Sequence, residues 1–148
     1  MTDALLFASL AGLTRKYYRR LRELLEAVPE DALGARVGDE GLTVEETVHH
    51  VSRADAWYRS LTGGTPPPDP ETAAGKPALL ASLARSEHEM LRFLEDLPPE
   101  RLSAEWPVPA WWGEDRDQPT LVILMHSLAH KYYHCGQLQA VLHALGRA

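Results

Sequence analysis

The stretch 119–146, PTLVILMHSLAHKYYHCGQLQAVLHALG, decides how this chain folds. It reads as one long helix from about Pro119 to Leu145, closed at Gly146, a residue type that commonly ends helices. At about 100° per residue, Ile123, Leu138, Val141 and Leu145 fall within about 40° of His134. His130 lies about 40° from His134, so both imidazoles point along the buried stripe. Leu124, Met125, Leu128, Tyr132 and Tyr133 lie off that stripe, which leaves the helix apolar nearly all round. A helix apolar on every side must be covered on every side, so neighbouring helices are expected around it.

Three further amphipathic segments supply them. Leu6, Leu10, Leu13, Tyr17, Leu21, Leu24 and Val28 recur at spacings of three and four and predict a helix over Asp3 to Ala27. Pro29 stops it, and residues 29–42 read as a connecting loop. Thr43 and Glu46 form a T-x-x-E capping box that opens a second helix. Its face is Val44, Thr47, Val48, Val51, Ala54, Tyr58 and Leu61, and it ends at Gly63-Gly64 before a surface loop over 66–70. A third helix is expected from about Pro77 to Asp96, with Leu80, Leu83, Met90, Leu94 and Leu97 as its stripe. Residues 98–119, which carry Trp106, Trp111 and Trp112, read as a long irregular segment. No strand pattern is visible. The expected architecture is an all-α four-helix bundle with long loops, a single domain over 1–148, and a site built from side chains facing its interior.

Composition agrees and narrows the function. The 148 residues are 45% hydrophobic and 24% charged, an ordinary globular balance. Fifteen Lys+Arg against 21 Asp+Glu leave a net charge of −6, which argues against a nucleic-acid groove and an anionic membrane surface. The local basic run Arg15-Lys16-Tyr17-Tyr18-Arg19-Arg20 reads as a solvated helix face. One cysteine, Cys135, excludes an intramolecular disulfide. No signal-peptide pattern and no membrane-length apolar run appear, so a cytoplasmic protein is expected.

The seven histidines are the compositional oddity. An H-x-x-x-H pair such as His130 and His134 can bind one metal ion from a single helical face; hydrogen-bonded core histidines are the alternative. The second helix offers His49-His50. His50 falls at the edge of its buried face, beside Ala54 and Leu61, and could reach inward, whereas His49 falls near the solvent side. His126, one turn before His130, could substitute as a ligand. His143 points away, and His88 sits on a flank of helix three. Asp55 and Glu87 lie on otherwise apolar faces, where an unpartnered carboxylate costs several kcal/mol. Their partners are a metal, a ligand histidine's second N–H or a helix-one arginine, with an ion pair to Arg19 or a frayed bundle end as the plain alternative. Ser127 and Gln137 lie near the histidine face and could support the ligands.

Two stretches make the chain resemble the DinB/YfiT-like metalloenzyme superfamily. Thr43-Val44-Glu45-Glu46-Thr47-Val48-His49-His50-Val51, followed by Asp55 and Trp57-Tyr58, is similar to that family's second helix. His130-Lys131-Tyr132-Tyr133-His134-Cys135-Gly136-Gln137 is similar to its last. The loop 25–42 fits as well. The resemblance implies that His50, His130 and His134 are the metal triad. Cys135 departs from the pattern, standing where an arginine is usual; rotated about 100° from His134, it reads as a packed thiol rather than a fourth ligand.

Three neutral imidazoles leave coordination positions open, the arrangement of a catalytic site. Members of the resembled family include thiol transferases and isomerases that use thiols such as mycothiol or bacillithiol. The leading expectation is therefore a metal-dependent thiol S-transferase or isomerase that acts on a small-molecule electrophile. Its cofactors would be a divalent ion (zinc, nickel or iron) and a low-molecular-weight thiol. A metal-assisted hydrolase and a non-catalytic metal-binding or dimerising bundle are the alternatives. Imidazole suits several metals, so ligand type does not choose among them. No nucleic-acid or membrane partner is expected. A homodimer is, with a fold of the 106–112 loop over the flank of helix four as the alternative cover.

Overall fold

The computed structural model describes residues 2–36, 39–64, 74–113 and 116–147. Four helices make the bundle: α1 (Asp3–Ala27), α2 (Val44–Leu61), α3 (Lys76–Asp96) and α4 (Thr120–Ala144). α1 packs on α3 and α4, and α2 packs on the same two helices, so the helices form a closed ring of four.

The helix ends are where local chemistry puts them. Thr43 Oγ1 accepts from Glu46 N at 3.1 Å, and Glu46 Oε2 accepts from Thr43 N at 2.7 Å, completing the capping box. α3 starts at Lys76, with Pro77 in its first turn. Gly146 closes α4 at φ +67, a conformation that favours glycine, and Arg147 N donates to Leu142 O at 2.8 Å. The loop expected over 66–70 lies outside the described residues.

The 98–119 segment is more ordered than the sequence suggests. It contains short 3-10 turns at Pro99–Ser103 and Ala110–Trp112 and a two-residue antiparallel ribbon. In that ribbon β1 (Glu105–Trp106) pairs with β2 (Gln118–Pro119). The expectation of no strand is corrected here; two residues are too few for an alternation to show. Trp106 Nε1 donates to Thr120 Oγ1 at 2.8 Å, and Thr120 N donates to Ala104 O, clipping the segment to the start of α4.

The core has two apolar halves. Leu21, Leu25, Val44, Val48, Val51, Leu79, Leu83, Leu138 and Val141 pack at one end, and Leu10, Met90, Leu94, Leu102, Leu124 and Leu128 at the other. By position along α1, α3 and α4, a buried polar layer falls between them: Thr14, Tyr18, Ser86, Ser127 and Lys131, with Asp55 from α2. Three side-chain assignments change accordingly. On α1 the fully buried tyrosine is Tyr18 rather than Tyr17, and Leu13 is 38% exposed. On α2 Asp55 lies deeper than Ala54. On α3 Leu79 is fully buried while Leu80 lies at the core's edge.

α4 carries one Lys, Arg, Asp or Glu along its 25 residues, Lys131, and it is fully buried. The helix therefore has no fixed charge on its outer side. Val122, Met125, Tyr132 and Tyr133 are exposed there, between 39% and 67%. The Ala110–Trp112 turn sits against the His126 side instead, where Trp112 stacks on that imidazole at 4.1 Å between ring centroids.

Candidate metal centre

α2 and α4 bring His50, His130 and His134 together. His130 and His134 stand one turn apart on α4, and the i, i+4 spacing sets their rings 4.4 Å apart between centroids. His50 comes from α2, with its ring 4.8 Å from His130 and 4.9 Å from His134. His130 Nε2 lies 2.9 Å from His50 Nε2 and 3.0 Å from His134 Nε2. The three ligand atoms fall within 4.8 Å of one another. For comparison, two imidazole nitrogens on a tetrahedral zinc stand about 3.3 Å apart, from zinc–nitrogen bonds of about 2.0–2.1 Å.

The chemistry of the donor set fits a cation. Gln137 Oε1 lies 2.6 Å from His134 Nδ1, and Gln137 Nε2 donates to the Tyr133 hydroxyl at 3.0 Å. With its amide NH2 turned to Tyr133, Gln137 accepts from His134 Nδ1–H, which leaves the Nε2 lone pair bare. His130 Nε2 carries at most one proton, so it cannot donate a full hydrogen bond to both neighbouring nitrogens. A cation among the three lone pairs satisfies all of them at once.

Burial keeps the cluster neutral. The His130 imidazole is pushed down to about 3, first by burial and then by His134 and His50. His134 is lowered to about 4, chiefly by burial. His50 is lowered too, by burial and then by the Arg53 charge. The unfolded imidazole titrates near 6.5, so the unfolded chain binds more protons than the folded one below that value. This stability is fully present above about pH 6.5 and is lost as pH falls toward the folded values. For metal-free protein, urea midpoints should drop between about pH 7 and 5, above the carboxylate range, and His130→Ala should flatten that slope. A wild-type midpoint that stays level over the interval would contradict this picture.

The other sequence candidates go elsewhere. Asp55 is fully buried and meets neither a histidine nor an arginine. Its carboxylate takes Lys131 Nζ at 2.6 and 2.8 Å, Tyr18 Oη at 2.6 Å and Ser127 Oγ at 2.7 Å. Ser127 thus supports Asp55 and Lys131 rather than a ligand histidine. Glu87 pairs with Arg22 of α1 rather than Arg19. His126 is no part of the triad; its Nδ1 lies 2.8 Å from the Tyr58 hydroxyl. His49 is half-buried with its Nδ1 sealed from solvent, not on the open side as its wheel position suggested. His88 and His143 are exposed. Cys135 is a buried free thiol whose Sγ contacts Tyr17 O, and burial pushes it up to about 11.

Sequence reading missed Lys131. Its neighbours in the chain are tyrosines and histidines, and nothing local marks a lysine as buried. The available signal was the lone carboxylate of Asp55 on the facing helix, which needs a cation.

His134 is buried, His130 half-buried, and His50 stands at the surface. The centre therefore opens on one side, into a cleft of about 460 Å3 whose walls include Trp57, Tyr58, Trp111 and His126.

The fold has known relatives. A DinB-like protein (YjoA) of Bacillus subtilis is 18% identical, with a TM-score of 0.76 over 95% of this chain and 93% of that one. A DinB-like protein of Bacillus cereus is 15% identical, with a TM-score of 0.74 over 89% and 87%. A DinB family member of Shewanella denitrificans is 16% identical, with a TM-score of 0.67 over 98% and 88%. At these identities the likeness speaks to the fold. Among curated proteins none matches the sequence. The model of the DinB family matches residues 3–148, and with the bundle and its helix-four histidines in place, the chain belongs to the DinB family.

Proposed function

We propose that the protein is a metal-dependent transferase in which His50, His130 and His134 hold a divalent ion. The ion activates a low-molecular-weight thiol, or water, toward an electrophilic small molecule. The observation that carries this reading is the one-sided opening of the histidine cluster into an aromatic cleft, since a structural site closes its coordination sphere with protein ligands. A bound divalent ion supplies Lewis acidity that lowers the pKa of a thiol or water in its reach. The chain's own groups do the rest. Gln137 orients His134, and burial keeps the imidazoles neutral for ligation. Tyr58, pushed up to about 12 by burial and then by Asp55, stays protonated and holds the His126 ring against the cleft wall, 2.8 Å from its Nδ1.

Elemental analysis of the purified protein, coupled to a screen of thiols against aryl and alkyl electrophiles, tests the reading. Conjugation that rises and falls with metal content supports it. A fully loaded protein that turns over no thiol and hydrolyses no ester favours the non-catalytic bundle instead.

The reading includes a cytoplasmic homodimer. No described helix is long and apolar enough to cross a membrane. What supports pairing is the uncharged outer side of α4, which the Ala110–Trp112 turn leaves open at Met125, Tyr132 and Tyr133. Light scattering at micromolar concentration should give twice the 16.5 kDa chain mass. A mass equal to that of one chain would refute the dimer.

A further inference from the structure

Resting on that reading of the histidine centre, we infer that the adjoining cleft takes a planar aromatic substrate that carries an anionic group. The ring would lie against Trp111 and Trp57, and the anion would meet Arg53.

The cleft holds about 460 Å3, within the range of small-ligand pockets, which pair apolar and aromatic walls with a few polar groups. Trp57 and Trp111 form one wall, 5.5 Å apart between centroids and tilted by 32°. Two consecutive tryptophans in the Ala110–Trp112 turn take different parts. Trp112 is pinned, stacked on His126 and set edge-on against Tyr58. Pinning it holds the turn in place and presents Trp111 to the cleft with 66% of its surface open. A fixed, exposed indole beside a catalytic opening has a bare face on which a flat ligand can stack.

Charge selects further. In a chain of net charge −6, no acidic side chain lines this cleft among the described residues, and its one permanent charge is Arg53. A cationic ligand would meet Arg53 as a like charge, whereas a carboxylate gains from it. His50 and His130 line the same cleft, so a ligand stacked on the tryptophans lies beside the metal ligands.

Calorimetric titration with 2-naphthoate tests the inference, with uncharged 2-naphthylmethanol and saturated cyclohexanecarboxylate as comparison probes. Bound zinc is measured on the same wild-type and His134→Ala samples. Saturable naphthoate binding is expected, weakened about five- to tenfold by Trp111→Ala, where the stacking face is lost. Arg53→Gln should weaken naphthoate by about threefold or more and leave the alcohol unchanged, and added salt should weaken naphthoate alone. Both substitutions are at exposed positions, and circular dichroism verifies the fold. No saturable binding, or binding indifferent to both substitutions, overturns the inference. So does equal affinity for naphthoate and cyclohexanecarboxylate. If zinc binds and naphthoate does not, the cleft inference falls and the metal reading stands. Naphthoate binding with both substitution effects in a protein that takes up no zinc supports the cleft while removing the metal.

Discussion

Asp55→Ala should destabilise the fold by about 3–5 kcal/mol, the cost of leaving one partner of a buried ion pair uncompensated. Lys131 Nζ is fully buried and has three short contacts, two to the Asp55 carboxylate and one to Ser127 Oγ at 2.7 Å. Without Asp55 the ammonium keeps one hydroxyl and no counter-charge. Burial already pulls the Lys131 ammonium down from its ordinary value, and Asp55 is the main influence opposing that. Tyr18 Oη also loses its acceptor, and Tyr18→Phe alone should cost about 1–2 kcal/mol through the hydrogen bond to a charged group. A melting temperature lower by about 10–15 °C is expected for Asp55→Ala in a chain of this size. The Asp55→Ala/Lys131→Met double variant should recover a large part of the loss, because removing both charges removes the uncompensated one. Circular dichroism melts of the three variants decide the matter. An Asp55→Ala variant that melts within a couple of degrees of wild type would show that the buried pair is not what joins α1, α2 and α4 in the middle of the bundle.

His130→Ala and His134→Ala should each remove most of the bound metal, lowering affinity well beyond the 10- to 100-fold loss typical of groups that only support a ligand. Gln137→Ala falls in that supporting class, since Gln137 holds His134 Nδ1. His49→Ala should leave occupancy nearly unchanged, because His49 lies outside the cluster. Occupancy measured by elemental analysis after dialysis against each variant checks the ordering. Full occupancy in both ligand variants would remove the assignment. Chelation of the wild type should lower its melting temperature by the linkage contribution of the ion, about 2.7 kcal/mol at 100 times Kd. Helicity should survive, because the two apolar halves of the core hold without it. Collapse of the helix signal on chelation would contradict that independence.

The four helices, their ends and the three histidines were legible in the chain because local rules write them. Periodicity of apolar residues marks a helix face, the Thr43/Glu46 box and Pro77 mark helix starts, and i, i+4 spacing alone brings His130 beside His134. Position on helix two and the resemblance both favoured His50 over His49, and in the structure it is His50 that lies with His130 and His134.

What sequence could not supply was the polar network between helices. Asp55, Tyr18, Ser127 and Lys131 come from three helices, and of these only Asp55 stood out in the sequence as needing a partner. Only packing turns them into one buried network, since a carboxylate and an ammonium far apart in the chain offer no periodic signal. For Glu87 the sequence pointed to a helix-one arginine among other partners but not to which one. Arg19 and Arg22 are one turn apart on α1, and the rotation of α1 against α3 chose Arg22. The roles of Trp111 and Trp112 were equally hidden, because adjacent residues in a short turn point in different directions and only the surrounding helices determine which is pinned. Sequence by itself therefore determined the elements and the spacing of the histidines. The tertiary structure decided the counter-ions, the depth of each side chain and the open side of the histidine centre, because those depend on how helices are rotated against one another and not on any pattern within one of them.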